Sequence, residues 1–161
     1  MKRLLIVWHS RTGASRALAE AAAAGAAGEA EVVVRRAAEA TAEDLLAADG
    51  FLFACPENLA ALSGEMKEFF DRTYYAVLDR LNGRPYACVI AAGSDGENAA
   101  RQLARIAVGW RLKPVAEPLI VCTHAQTPEA IAAEKVIGEA DLAVARDLGA
   151  ALAAGLAMGV F

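Results

Sequence analysis

A chain of 161 residues, 57% of them hydrophobic and 22% charged, can bury one full-sized core and is too apolar for extended disorder, so a single domain over 1–161 is expected. Its formal net charge of −4 leaves no basic surface for nucleic acid. Cys55, Cys88 and Cys122 lie far apart with no C-x-x-C pair, and His9 and His124 share no ligand spacing with them; buried reduced thiols, a cytoplasmic location and no metal are expected.

In chain order, Leu4-Leu5-Ile6-Val7-Trp8 is an apolar run with charge before it and His9-Ser10-Arg11-Thr12-Gly13 after it. That pattern suits a central parallel strand covered on both faces. The run is too short for a signal peptide. From Ala14 to Ala24 the residues are good helix formers, so the polar turn sits at a helix N-terminus, where free N–H groups and the helix dipole favour an anion. Ser10, Thr12 and Ser15 supply hydroxyls, and Gly13 lets the backbone approach a ligand. The spacing is neither G-x-x-x-x-G-K-[ST] nor G-x-G-x-x-G, which argues against an ATP-type loop and against a dinucleotide fingerprint. His9, at the strand end, reads as a polar seam or as a neighbour of the ligand.

Val32-Val33-Val34 is a short second strand near an edge, and Thr41-Ala42-Glu43-Asp44 starts a helix with acidic residues in its first turn. Phe51 to Cys55 is a third strand, closed by Pro56. The stretch from Pro56 to Gly64 is read as a long loop at a strand C-terminus, where sites are commonly built. Met66, Phe69, Phe70, Thr73, Tyr74, Val77 and Leu78 then recur at helical spacing and form an apolar face directed at the core. After the break at Asn82-Gly83, Tyr86 to Ala92 is a fourth strand ending in Gly93-Ser94-Asp95-Gly96. Glu97 to Val108 is helical, and a fifth strand lies around Leu119 to Cys122. Thr127-Pro128-Glu129 opens a last helix that is expected to run, with a kink at Gly138, well past Asp141. The apolar tail Leu148 to Phe161 is shorter than a bilayer requires, so no membrane span is expected. Strand and helix alternate five times with no hairpin signal, which implies an α/β parallel sheet wrapped on both faces, with three loops meeting at one edge.

Two segments carry a family resemblance. Ser10, Thr12, Gly13 and Ser15 fill [ST]-x-[ST]-G-x-[ST], the monophosphate loop of flavodoxin-like proteins. Pro56, Glu57, Asn58, Leu62, Ser63, Gly64, Met66, Lys67, Phe69, Asp71 and Arg72 resemble the second flavin loop and following helix of the flavodoxin-like NAD(P)H-dependent FMN oxidoreductases. The resemblance implies a flavodoxin-like doubly wound fold with five parallel strands in the order 2-1-3-4-5. It implies FMN as cofactor, NADH or NADPH as co-substrate and a quinone-like or other small electron acceptor. Carried over, Ser10, Arg11, Thr12, Gly13, Ala14 and Ser15 would bind the phosphate. Pro56, Glu57, Asn58 and Leu59 would line the ring, and Gly93, Ser94, Asp95 and Gly96 would close its far side. No catalytic side chain is identified: Glu57 and Asp95 read as solvated loop charges or as proton donors, and Arg11 as a loop charge or a phosphate partner.

Other users of this architecture make demands the chain does not meet. A small tyrosine phosphatase needs Cys-x5-Arg in its first loop, and a phospho-receiver needs an acidic pair after the first strand; both are absent. The remaining alternatives are a flavodoxin that carries single electrons without turnover and a flavin-bound or degenerate accessory domain. Neither loop 56–64 nor loop 93–96 contains an aromatic residue, so an open flavin face is expected rather than the aromatic sandwich of those carriers. A homo-oligomer, most simply a dimer, is expected from the apolar helix surfaces and from Tyr75, which falls off the core face of its helix.

Overall fold

The computed structural model describes residues 1–161. Its elements in chain order are β1 (Arg3–Trp8), α1 (Ala14–Ala26), β2 (Glu31–Arg36), α2 (Ala42–Ala47), β3 (Gly50–Asn58), β4 (Ala61–Leu62), α3 (Gly64–Val77), β5 (Pro85–Ala92), α4 (Glu97–Gly109), β6 (Lys113–Pro114), β7 (Leu119–Cys122), α5 (Pro128–Ala132) and α6 (Glu139–Met158). The parallel sheet runs β2-β1-β3-β5, and β6 and β7 both pair with the outer side of β5. The 2-1-3-4-5 order is therefore present. Its fifth strand comes in two pieces, separated by a segment that contains Pro118.

Alternation along the strands divides the interior into two unlike cores. Leu5, Val7, Phe51, Phe53, Tyr86 and Ile90 face α3 and α4, where Phe69, Phe70 and Trp110 complete an aromatic cluster. Trp110 stacks on Tyr74 at 5.8 Å between ring centroids and donates its indole N–H to the Tyr74 carbonyl at 3.1 Å. The expected core face of α3 is buried at Met66, Phe69, Phe70, Thr73 and Val77. On the other side Leu4, Ile6, Leu52, Ala54, Val89 and Val121 meet the alanine-rich faces of α1 and α6. Small residues let those two helices touch backbone to backbone. An added Cβ on Gly25 would lie 1.9 Å from the Arg146 carbonyl oxygen, and one on Gly149 would lie 1.9 Å from that of Ala22.

Three expectations change. β3 does not stop at Pro56 but continues to Asn58, because β1 pairs with it only as far as Trp8 opposite Ala54. Pro56 lies beyond that ladder and is paired in register with Ala91 of β5, so its missing N–H removes no bond to β1. The stretch after Pro56 is not an open loop. Glu57 and Asn58 pair with Leu62 and Ala61 in an antiparallel hairpin, turned by Leu59 and Ala60 at φ 51° and 59°. The last helix is two helices, α5 and α6, separated by residues 133–138. The other boundaries agree to within a few residues, including the capping box of Thr41 and Asp44 at α2. Cys55 and Cys88 are buried, with thiols pushed up to about 12 chiefly by burial, while Cys122 is half-buried. No helix is long and apolar enough to cross a membrane.

Candidate functional site

A cleft of about 730 Å³ opens at the C-terminal ends of β1, β3, β5 and β7, the edge where a doubly wound sheet binds its ligand. Arg11 and Thr12 line it from the first loop, Pro56, Glu57, Asn58 and Leu59 from the hairpin, and Gly93 and Ser94 from the third loop. Those eight predicted residues come together. None of the lining side chains is aromatic.

The other six predicted residues lie behind or beside this wall. Ser10 Oγ accepts the Gly13 N–H at 3.0 Å and so shapes the turn. Gly13 stands at φ 102° as the N-cap of α1. Space is not its constraint, because an added Cβ would meet its nearest neighbour, the Lys135 carbonyl oxygen, at 3.7 Å. Its backbone conformation is what an L side chain resists. Ala14 and Ser15 are buried in the first turn of α1, and Ser15 Oγ has no hydrogen-bond partner. An orphaned buried hydroxyl beside the free N–H groups of a helix start fits a phosphate oxygen as acceptor. Asp95 and Gly96 do not line the cleft and stand at the start of α4. Asp95 Oδ1 accepts the Glu97 N–H at 3.4 Å, and Gly96 is the left-handed N-cap.

The sequence reading missed a fourth wall. Thr123 and Ala125 follow β7, and Ile131, Ala132 and Lys135 come from α5 and the segment after it. Thr123 is held in place by N–H and hydroxyl donation to the Ala92 carbonyl at 2.8 and 3.2 Å. The hairpin is fastened to α4: Gln102 Oε1 accepts the Leu62 N–H at 2.7 Å, and Asn98 Nδ2 donates to the Ala60 carbonyl at 2.6 Å. Within the hairpin, Glu57 Oε2 is buried without a partner.

His9 does not line the cleft. Its Nδ1 lies 2.9 Å from Ser63 Oγ and its Nε2 lies 3.1 Å from Glu65 Oε2, so it joins the end of β1 to the start of α3. Burial holds its pKa below the usual 6.5, with Arg11 and Arg36 adding to the effect and Glu65 opposing it. A depressed native pKa means that the unfolded chain binds the proton more readily. Stability is therefore complete above pH 6.5 and falls as pH drops below that value toward the lowered native pKa. Urea unfolding across this window should show the loss, and His9→Gln should flatten it. An equal slope in both proteins would assign the loss to other groups.

Residues 26–127, well over half of the chain, match the family described as NADPH-dependent FMN reductase. That range contains the hairpin and the third loop but begins after the first. A flavodoxin of Aquifex aeolicus (strain VF5) is 32% identical over 110 residues, covering 67% of this chain and 58% of that protein. A probable NAD(P)H dehydrogenase (quinone) FQR1-like 2 of Arabidopsis thaliana is 39% identical over 59 residues, 36% of this chain and 22% of that protein. The chain thus spans little more than half of the first relative and about a fifth of the second. A flavodoxin structure from the domain Archaea aligns with a TM-score of 0.77 and 18% identity over 96% of this chain and 98% of that one, which shows the flavodoxin-like fold. The family match makes the chain a member of the NADPH-dependent FMN reductase family.

Proposed function

We propose that the chain, acting as one domain, binds one FMN in the cleft and passes electrons from NADPH or NADH to a small acceptor such as a quinone. The observation that carries the cofactor is the unpartnered, buried Ser15 hydroxyl in the first turn of α1, next to Thr12 and left-handed Gly13. The family match and the two relatives, named as a flavodoxin and as a probable quinone-type NAD(P)H dehydrogenase, support the same reading. FMN would supply the hydride and electron chemistry; the chain supplies binding, orientation and electrostatics. The first loop, Ser10 to Ser15, holds the phosphate, with the α1 N-terminus and Arg11 offsetting its charge. Backbone N–H groups of Glu57 to Leu59 would hold one side of the flavin, and Gly93 and Ser94 would line the other. Asp95 and Gly96 act there indirectly, by setting the start of α4. With no aromatic side chain in the lining, one ring face stays open for a nicotinamide and then an acceptor to stack.

A second reading, a carrier of single electrons, is favoured by the flavodoxin relative. A single experiment separates the two. Purified protein should show a flavin spectrum with one FMN per chain, and NADPH or NADH added without air should bleach it. A bound flavin that neither nucleotide reduces would identify the carrier, and failure to bind FMN would remove both readings. Self-association belongs to the same proposal, with Tyr75, 82% exposed on α3, as the marker of its surface.

A further inference from the structure

Between α5 and α6 the chain crosses the first loop, and two kinds of bond fix it there. The Lys135 N–H donates to the Thr12 carbonyl at 2.8 Å. Its ammonium donates to Thr12 Oγ1 at 3.3 Å, to the Ile131 carbonyl at 2.9 Å and to the Ala133 carbonyl at 2.5 Å. All three ammonium protons are thereby placed. Every acceptor is neutral, and no carboxylate lies within ion-pairing distance of Lys135 (all salt bridges involve other residues). The result is a half-buried cation, held still and lacking a counter-charge, on the wall of the cleft beside Thr12. Arg11 differs: it is exposed and makes neither an ion pair nor a side-chain hydrogen bond.

We propose that Lys135 is the fixed cation of the anion cradle and makes the site select a phosphorylated flavin over the same flavin without phosphate, an inference that rests on the FMN reading above. The α1 N-terminus and the orphaned Ser15 hydroxyl follow Thr12 in the chain and favour an anion, and Lys135, bonded to Thr12 Oγ1, adds full positive charge beside them. A phosphate near −2 in charge competes well for an ammonium whose current partners are a hydroxyl and two carbonyls, because those bonds are ionised on the donor side only, whereas a phosphate adds the attraction between opposite full charges. A ligand without phosphate leaves those neutral partners in place and gains nothing from Lys135. The segment itself stays attached without the side chain, since the Lys135 N–H to Thr12 carbonyl bond is made by backbone.

The test titrates flavin-free wild type, Lys135→Met and Lys135→Arg with FMN and with riboflavin, following quenching of flavin fluorescence at low and moderate salt. Methionine keeps the aliphatic stem, and circular dichroism with a melting curve checks that each variant is folded. Lys135→Met should weaken FMN about tenfold or more while riboflavin affinity stays within about twofold, and the salt dependence of FMN binding should diminish. Lys135→Arg should recover most of the loss. Equal weakening of both ligands would make Lys135 a structural residue, and an unchanged FMN-to-riboflavin ratio would remove it from the cradle. Those results leave the FMN reading intact. Wild type that binds neither flavin would overturn that reading and this one together.

Discussion

Replacing Gly149 with alanine is expected to destabilise the protein by about 3 kcal/mol, at the top of the usual range for overpacking. The added methyl would sit 1.9 Å from the Ala22 carbonyl oxygen and 2.6 Å from its carbon. Both are backbone atoms inside a helix, so no side-chain rotamer change can relieve the contact. α1 and α6 must move apart, and the alanine-lined core between them, with Ala22, Ala145 and Ala153 fully buried, has no longer side chains to fill the gap. Gly25, whose added Cβ would meet the Arg146 carbonyl oxygen at 1.9 Å, should behave in the same way. Gly64, with nothing within 4 Å, is the control and should change by less than about 0.5 kcal/mol on conversion to alanine. Urea unfolding checks all three: the midpoint for Gly149→Ala should fall while the slope is retained. A midpoint equal to that of wild type would mean that the two helices do not approach so closely.

The second large effect is on ligand binding. Gly13→Val should raise the dissociation constant for FMN by about 100-fold or more, near 3 kcal/mol. A β-branched residue at φ 102° is a backbone outlier. The loop would escape the strain only by refolding. Escape breaks the Gly13 N–H to Ser10 Oγ bond and displaces Thr12, whose carbonyl accepts the Lys135 N–H. The cost to the ligand-free fold should be smaller, about 1–2 kcal/mol, because the turn lies at a surface edge. Calorimetric titration of flavin-free protein, paired with a melting curve, checks both numbers. Stoichiometric FMN at unchanged affinity would show that the cradle lies elsewhere.

What could be read from the sequence was local. The buried strands announce themselves as apolar runs because both faces are covered, and the aromatic face of α3 repeats at helical spacing. The first loop was legible because its hydroxyls, its glycine and the helix they precede are neighbours in sequence. The hairpin was not, because its turn is Leu59-Ala60, two residues that carry no preference for positive φ, and because Pro56 reads as a terminator unless the end of the β1 ladder is known. The break between α5 and α6 was hidden in helix-favouring residues, with no glycine until Gly138. Lys135 had no signal at all. It reaches Thr12 across 123 positions of sequence, a separation that only the closing of α5 onto the first loop removes. Asp95 and Gly96 share a loop with Gly93 and Ser94, and they also set the first helical turn of α4.

The attachment of the hairpin through Asn98 and Gln102, four residues apart on α4, decides which part of the molecule it opens with. Its own antiparallel pairing, Glu57 with Leu62 and Asn58 with Ala61, is two residues long, too little to persist alone. Its amides should therefore resist solvent exchange only while α4 is in place, and the Leu62 amide, bonded to a side chain of that helix, should report on α4 more than on the central sheet. In terms of cooperative unfolding units, one wall of the cleft belongs with α4, while the first loop belongs with α1 and the segment that crosses it. A ligand that touches both walls would bridge two such units and slow exchange in each, including at amides it never contacts.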